Sequence, residues 1–108
     1  MKVNFKVEAK DWKGNTLTEM ENGVKKPVLL SDRIQELLYF YGSNGQVSND
    51  KKYKAHKLLK KMERGEDEFT TEELALVKEI VGNGLVAGIV GQVYDLIEEN
   101  NQKTNKNK

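Results

Sequence analysis

The chain opens on strict alternation. Val3, Phe5, Val7 and Ala9 are separated by Lys2, Asn4, Lys6, Glu8 and Lys10, the two-residue period of a strand with one buried face. Asp11-Trp12-Lys13-Gly14-Asn15 is a turn cluster in which Gly14 can take positive φ, and residues 16–21 return as a second strand. Asn22-Gly23 carries type I′ turn chemistry and passes the chain to a third strand at Val24. Leu17 and Met20 differ in parity, so the second strand is short or bulged, and Pro27 confines the third to an edge. A small antiparallel meander is expected.

From Leu29 the period lengthens. Leu30, Ile34, Leu37, Leu38 and Tyr41 recur every three or four residues until Gly42, which predicts a first amphipathic helix. A polar loop follows, and Ser48 or Asn49 opens a second helix that ends at Gly65 and buries Ala55, Leu58, Leu59 and Met62. Thr70 with Glu73 forms a capping box, and Phe69 with Leu74 a hydrophobic staple, at the start of a third helix with Leu74, Val77, Ile80 and Val81 inside. Gly82-Asn83-Gly84 reads as a break. A fourth helix over residues 85–99 is apolar around most of its circumference, which makes it either the central helix or an oligomer interface. Residues 100–108 hold no apolar side chain and are expected to form a disordered polar tail. The fold class is therefore α+β, one domain over residues 1–99 in which a small N-terminal antiparallel meander packs with three to four helices.

Composition narrows the chemistry. With 108 residues, 37% apolar and 32% charged, the chain supports one modest core. Cysteine is absent, which removes disulfides, thiolate metal sites and cysteine nucleophiles. The N-terminus lacks a continuous apolar run, and residues 80–94 fall short of the roughly 20 residues that span a bilayer, so a soluble, cytoplasmic protein without membrane contact is expected. Net charge is +1, but residues 1–64 carry 14 Lys or Arg against 8 acids, whereas residues 65–100 carry 1 against 9. Such opposite halves attract, within one fold or between copies.

Two constellations could form binding surfaces. Lys54, Lys57, Lys61 and Arg64 line one stripe of the second helix, flanked by Lys60 and Tyr53, and could hold a nucleotide or nucleic-acid phosphate while the ring stacks a base. Against this, no nucleic-acid-reading motif accompanies the stripe, and a solvated lysine face balanced by the following acids Glu63, Glu66, Asp67 and Glu68 is the plainer reading. Gly84, Gly88 and Gly91 on the fourth helix each cost about 1 kcal/mol relative to alanine, so they imply close helix approach, with Ile89 and Val93 beside them. Their spacing does not match a dinucleotide-binding fingerprint.

Catalytic readings find little support. His56 is the sole histidine and has no carboxylate at helical metal-pair spacing. The acids Glu66, Asp67, Glu68, Glu72 and Glu73 lack the glycine and alternation of a calcium loop and instead suit a helix N-terminus. Ser31, Ser43 and Ser48 stand outside any nucleophile elbow. No metal or cofactor is expected. Trp12 is either a lid on the core or an exposed anchor for a partner.

The Asp11-Trp12-Lys13-Gly14 turn, Pro27-Val28-Leu29, Lys51-Lys52-Tyr53-Lys54, Thr70-Thr71-Glu72-Glu73-Leu74 and Val90-Gly91-Gln92-Val93-Tyr94 together resemble a loose group of short, uncharacterised proteins carried by phages and integrated elements. The resemblance covers most of the chain to about Glu98 and brings no assigned activity. It implies a mobile-element setting, in which a small protein acts by occupying a host or virion partner. The expectation is a non-enzymatic accessory protein that self-associates and binds a macromolecule, as a host-system antagonist or an assembly factor. The alternative is a nucleotide sequestrant or nucleic-acid binder using residues 50–64.

Overall fold

In the computed structural model, which describes residues 1–43 and 45–106 with side chains as far as Glu99, the N-terminal alternation buries Val3, Phe5 and Ala9 yet forms no ladder. The segment changes partner along its length. Val3 N–H donates to the Asp67 carbonyl at 2.9 Å, the Phe5 and Val7 carbonyls accept from Ser31 and Leu30, and Ala9 N–H donates to the Val28 carbonyl at 2.8 Å. Alternation records which face is buried and is silent on what lies alongside, so the expected first strand is replaced by an extended lace through the core. Phe5 meets Phe69 there, ring centroids 5.5 Å apart.

The regular sheet has two antiparallel strands, β1 (Thr18–Glu21) and β2 (Val24–Pro27), in the register Glu21↔Val24 and Glu19↔Lys26. Asn22 and Gly23 take φ of 53° and 81°, the conformation that a two-residue I′ turn demands. All eight strand residues are exposed. Arg33 ties the ribbon to the helices through a 2.6 Å ion pair with Glu19.

Helix α1 (Leu30–Tyr39) starts at Leu29, an apolar residue with no side-chain cap. Its first amides are instead satisfied by the Val7 and Phe5 carbonyls, so the N-terminal lace does the capping. Helix α2 (Asn49–Glu63) is capped by Ser48, whose hydroxyl accepts from Lys51 N–H at 3.2 Å, and it buries Ala55, Leu58, Leu59 and Met62 as its period requires. Helix α3 (Thr71–Gly84) carries the complete Thr70–Glu73 capping box, with Phe69 and Leu74 both in the core.

Two expectations about the C-terminal half are corrected. Gly82-Asn83-Gly84 does not break α3, because these glycines keep ordinary helical φ; the chain turns at Leu85 and Val86 instead. Helix α4 (Ala87–Lys106) is not central. It packs on α3, where Tyr94 O–H donates to the Lys78 carbonyl at 3.1 Å, and it buries Val93 and Ile97, whereas α1 is the helix that packs against both α2 and α3. Apolar girth in the sequence overstated the burial of α4, since Val86 is 73% exposed and Ile89, Val90 and Leu96 are half-buried. The disordered tail expected over residues 100–108 is corrected as far as the backbone is described, since α4 runs on to Lys106; residues 107–108 lie outside the described residues. The result is an α+β fold with a single core. No helix among the described residues is long and apolar enough to cross a membrane.

Candidate functional site

The basic stripe of α2 faces the acidic stripe of α3. Lys54 Nζ lies 2.7 Å from Glu72, Lys61 Nζ 2.9 Å from Glu73 and Lys51 Nζ 3.5 Å from Glu79, while Arg64 Nε reaches Glu66 at 2.6 Å. The opposite-charge attraction legible in the sequence is thus satisfied within one fold. Its partners, however, are mainly acids of the α3 face rather than those immediately following α2. Between the helices lies a groove of about 420 Å³, with Ala75 and Leu76 forming apolar wall and the lysines and glutamates forming its rim.

The charges hold one another ionised. The hydrogen bond from Lys54, followed by its charge, keeps the Glu72 carboxyl below the usual carboxylate range, and Glu72 pushes Lys54 up. Burial draws the Glu73 carboxyl upward, but donation from Thr70 N–H and the Lys61 ammonium outweighs it, and the net direction is down. Tyr41 O–H donates to Glu79 at 2.7 Å; that bond, with some burial, raises the phenol to about 12 and lowers Glu79. Tyr41, Glu79 and Lys51 therefore join the α1–α2 loop to both helices. They border a second, open cavity of about 690 Å³ that Leu37, Phe40, Val47 and Ile80 also line.

Of the residues proposed for anion binding, Lys54, Lys61 and Arg64 are engaged by carboxylates. Lys57 has no ion pair among the described residues and sits over the Tyr53 ring, 4.7 Å from its centroid. Tyr53 also stacks against His56 at 6.3 Å. A stripe so neutralised attracts phosphate far less than its sequence suggests. No group of three or more His, Asp or Glu among the described residues is placed to hold a metal ion.

The glycines divide by role. A Cβ at Gly84 would stand 2.5 Å from Leu37 Cδ2, so its bareness admits the α1 side chain. Beyond the helix's own backbone, nothing among the described residues comes within 4 Å of a Cβ built at Gly88 or Gly91. Gly84 ends α3 rather than belonging to α4, and a Cβ there would point at Leu37; Val93 lies in the core, Ile89 is half-buried, and Gly88 and Gly91 are exposed on α4, so the five residues grouped in the sequence reading serve two surfaces. Trp12 is 90% exposed, with Lys13 Nζ 5.1 Å from its ring, and so is no lid on the core.

Sequence reading missed Gln92. Its side chain accepts from Lys10 N–H at 2.8 Å and donates to the Lys10 carbonyl at 2.8 Å, fastening the N-terminal lace to α4. A polar residue within an apolar helical run was the available signal. In comparisons with known proteins, no protein family, no curated protein and no solved structure matches this chain.

Proposed function

We propose that this chain is a non-enzymatic accessory binding protein, of the phage or mobile-element kind that it resembles, acting in the host cytoplasm. It self-associates along the outward face of α4 and engages a macromolecular partner with its remaining surface, as a host-system antagonist or an assembly factor. The observation that carries this reading is the open space around Gly88 and Gly91. Each glycine weakens the helix by about 1 kcal/mol, and no neighbour among the described residues packs on the missing side chain to account for that cost. Close approach by another helix does, and exposed Val86 at the head of the same helix adds apolar surface to the contact.

Light scattering with a concentration series is the test. A stable dimer or larger species is expected, and Gly88→Leu, at a position where a Cβ meets nothing within 4 Å among the described residues, should return it to monomer while circular dichroism shows the helices retained. A monodisperse monomer at every concentration overturns the reading. The anion-binding alternative draws on Lys57 above the exposed Tyr53 ring. It requires oligonucleotide binding at low ionic strength that Lys57→Glu abolishes; the absence of such binding removes it.

A further inference from the structure

Strand β1 belongs to a longer extended segment whose two edges are used unequally. Lys10 faces Thr16, with Leu17 N–H donating to the Ala9 carbonyl and Asp11 N–H to the Asn15 carbonyl, each at 2.8 Å. Odd-numbered residues of this segment therefore turn their backbone groups inward. The tight Asn22-Gly23 turn keeps that parity, since in a two-residue hairpin the flanking pair Glu21–Val24, and then Glu19–Lys26, are the hydrogen-bonded ones. Thr16, Thr18 and Met20 consequently turn N–H and C=O outward, and among the described residues no backbone hydrogen bond outside the β1–β2 ladder reaches them. On the opposite margin of the ribbon, β2 turns outward Lys25 and Pro27, and proline has no N–H to give. One edge is open and the other is blunted.

The geometry points to the outer edge of β1 as a strand-addition site for an extended peptide of basic–apolar–basic alternation, carried by the macromolecular partner invoked above, on which reading this inference rests. An antiparallel strand added there places its closest side-chain neighbours opposite Glu19 and Glu21, the pairs that are not hydrogen-bonded on that side. Cations at those two positions meet carboxylates that already hold Arg33 (Glu19, 2.6 Å) and Lys26 (Glu21, 3.8 Å) but stay about half exposed, 46% and 57%, and so can accept a further donor. The residue between them lies opposite Met20, which is 64% exposed, and is apolar. A second copy fits less well. Residues 15–21 contain no Lys or Arg, so pairing β1 with β1 brings acids and no cation, and the β2 edge presents a single outward N–H. The mode is β-augmentation, with main-chain bonds giving affinity and alternate side chains giving selection.

The probe is the blocked peptide Ac-Thr-Thr-Lys-Val-Lys-Thr-Thr-NH2, added to the full ¹⁵N-labelled chain while amide hydrogen exchange is followed by NMR. Exchange at Thr18 and Met20 should slow at least tenfold at saturation. The same peptide with glutamates for lysines, or N-methylated at its valine, should bind at least tenfold more weakly. The double variant Glu19→Lys, Glu21→Lys should reverse the preference toward the glutamate peptide. Unchanged exchange at Thr18 and Met20, or equal binding of the N-methylated peptide, overturns the proposal. Its failure is separable from failure of the α4 reading, because the Gly88→Leu light-scattering result does not depend on this edge.

Discussion

Tyr41 and Gly84 show how much one side chain, or the lack of one, fixes at the junction of α1 and α3. The Tyr41 hydroxyl donates to a carboxylate, so its proton is held to about 12 against an ordinary 10.0. Because the folded value is the higher one, the stabilisation is complete below pH 10 and is lost as pH rises through 12. A spectrophotometric titration at the tyrosinate band should therefore show one phase near pH 12 that Tyr41→Phe deletes, with a stability loss of about 1 kcal/mol at neutral pH for a partly solvated, charge-assisted bond. Gly84 works by absence. A side chain there collides with Leu37, so Gly84→Val should cost about 1–3 kcal/mol in denaturant unfolding, whereas Gly88→Ala, with open space around it, should leave the monomer as stable or up to about 1 kcal/mol more so. Equal effects of the two substitutions would contradict the division of the glycines into inward and outward sets.

Helices α2 and α3 meet through ion pairs, and this makes their contact sensitive to acid. Glu72, Glu73 and Glu79 all have carboxyls lowered from the ordinary 4.5, so what they contribute is present above that value and drains away as pH falls through their folded-state values. The melting temperature should be flat above about pH 5 and fall below about pH 4.5, and high salt should weaken the same contact. The helices themselves were legible in the sequence because their signals are local: Thr70 and Glu73 cap within one turn, and Ala55, Leu58, Leu59 and Met62 repeat at helical spacing. What closes the fold was not, because its partners lie far apart in the chain. The capping of α1 by Val7 and Phe5, and the Gln92 clamp on Lys10, join residues that no window of periodicity contains together. The position of α4 was equally hidden, since an apolar circumference states how much surface a helix can bury and not which neighbour buries it. Replacing Gln92 with alanine leaves the Lys10 amide and carbonyl to solvent and should cost about 1–2 kcal/mol, read as faster amide exchange across the N-terminal lace before any change in the helices.

Considered as one body, the molecule keeps its charge internal and its strand edges asymmetric, and both bear on how copies meet. The basic first half and acidic second half pair across α2 and α3, so few unpaired charges of that stripe remain to draw copies together at long range. The ribbon retains an electrostatic match of its own. If the outer edge of β1 received β2 of another copy in the native register, Glu19 would again face Lys26 and Glu21 would face Val24. That contact is head-to-tail and does not close, so it would propagate into a filament. Pro27 stands against it by withholding one of the two N–H groups that the β2 edge would otherwise present. Pro27→Thr should therefore convert the chain to open-ended association. Sedimentation velocity is expected to show species that keep growing with concentration, salt-sensitive because they rest on Glu19–Lys26 pairing, and independent of Gly88→Leu because α4 takes no part. Sedimentation identical to that of the parent chain would mean that the β1 edge is not open to addition, and would count equally against the peptide site argued for it.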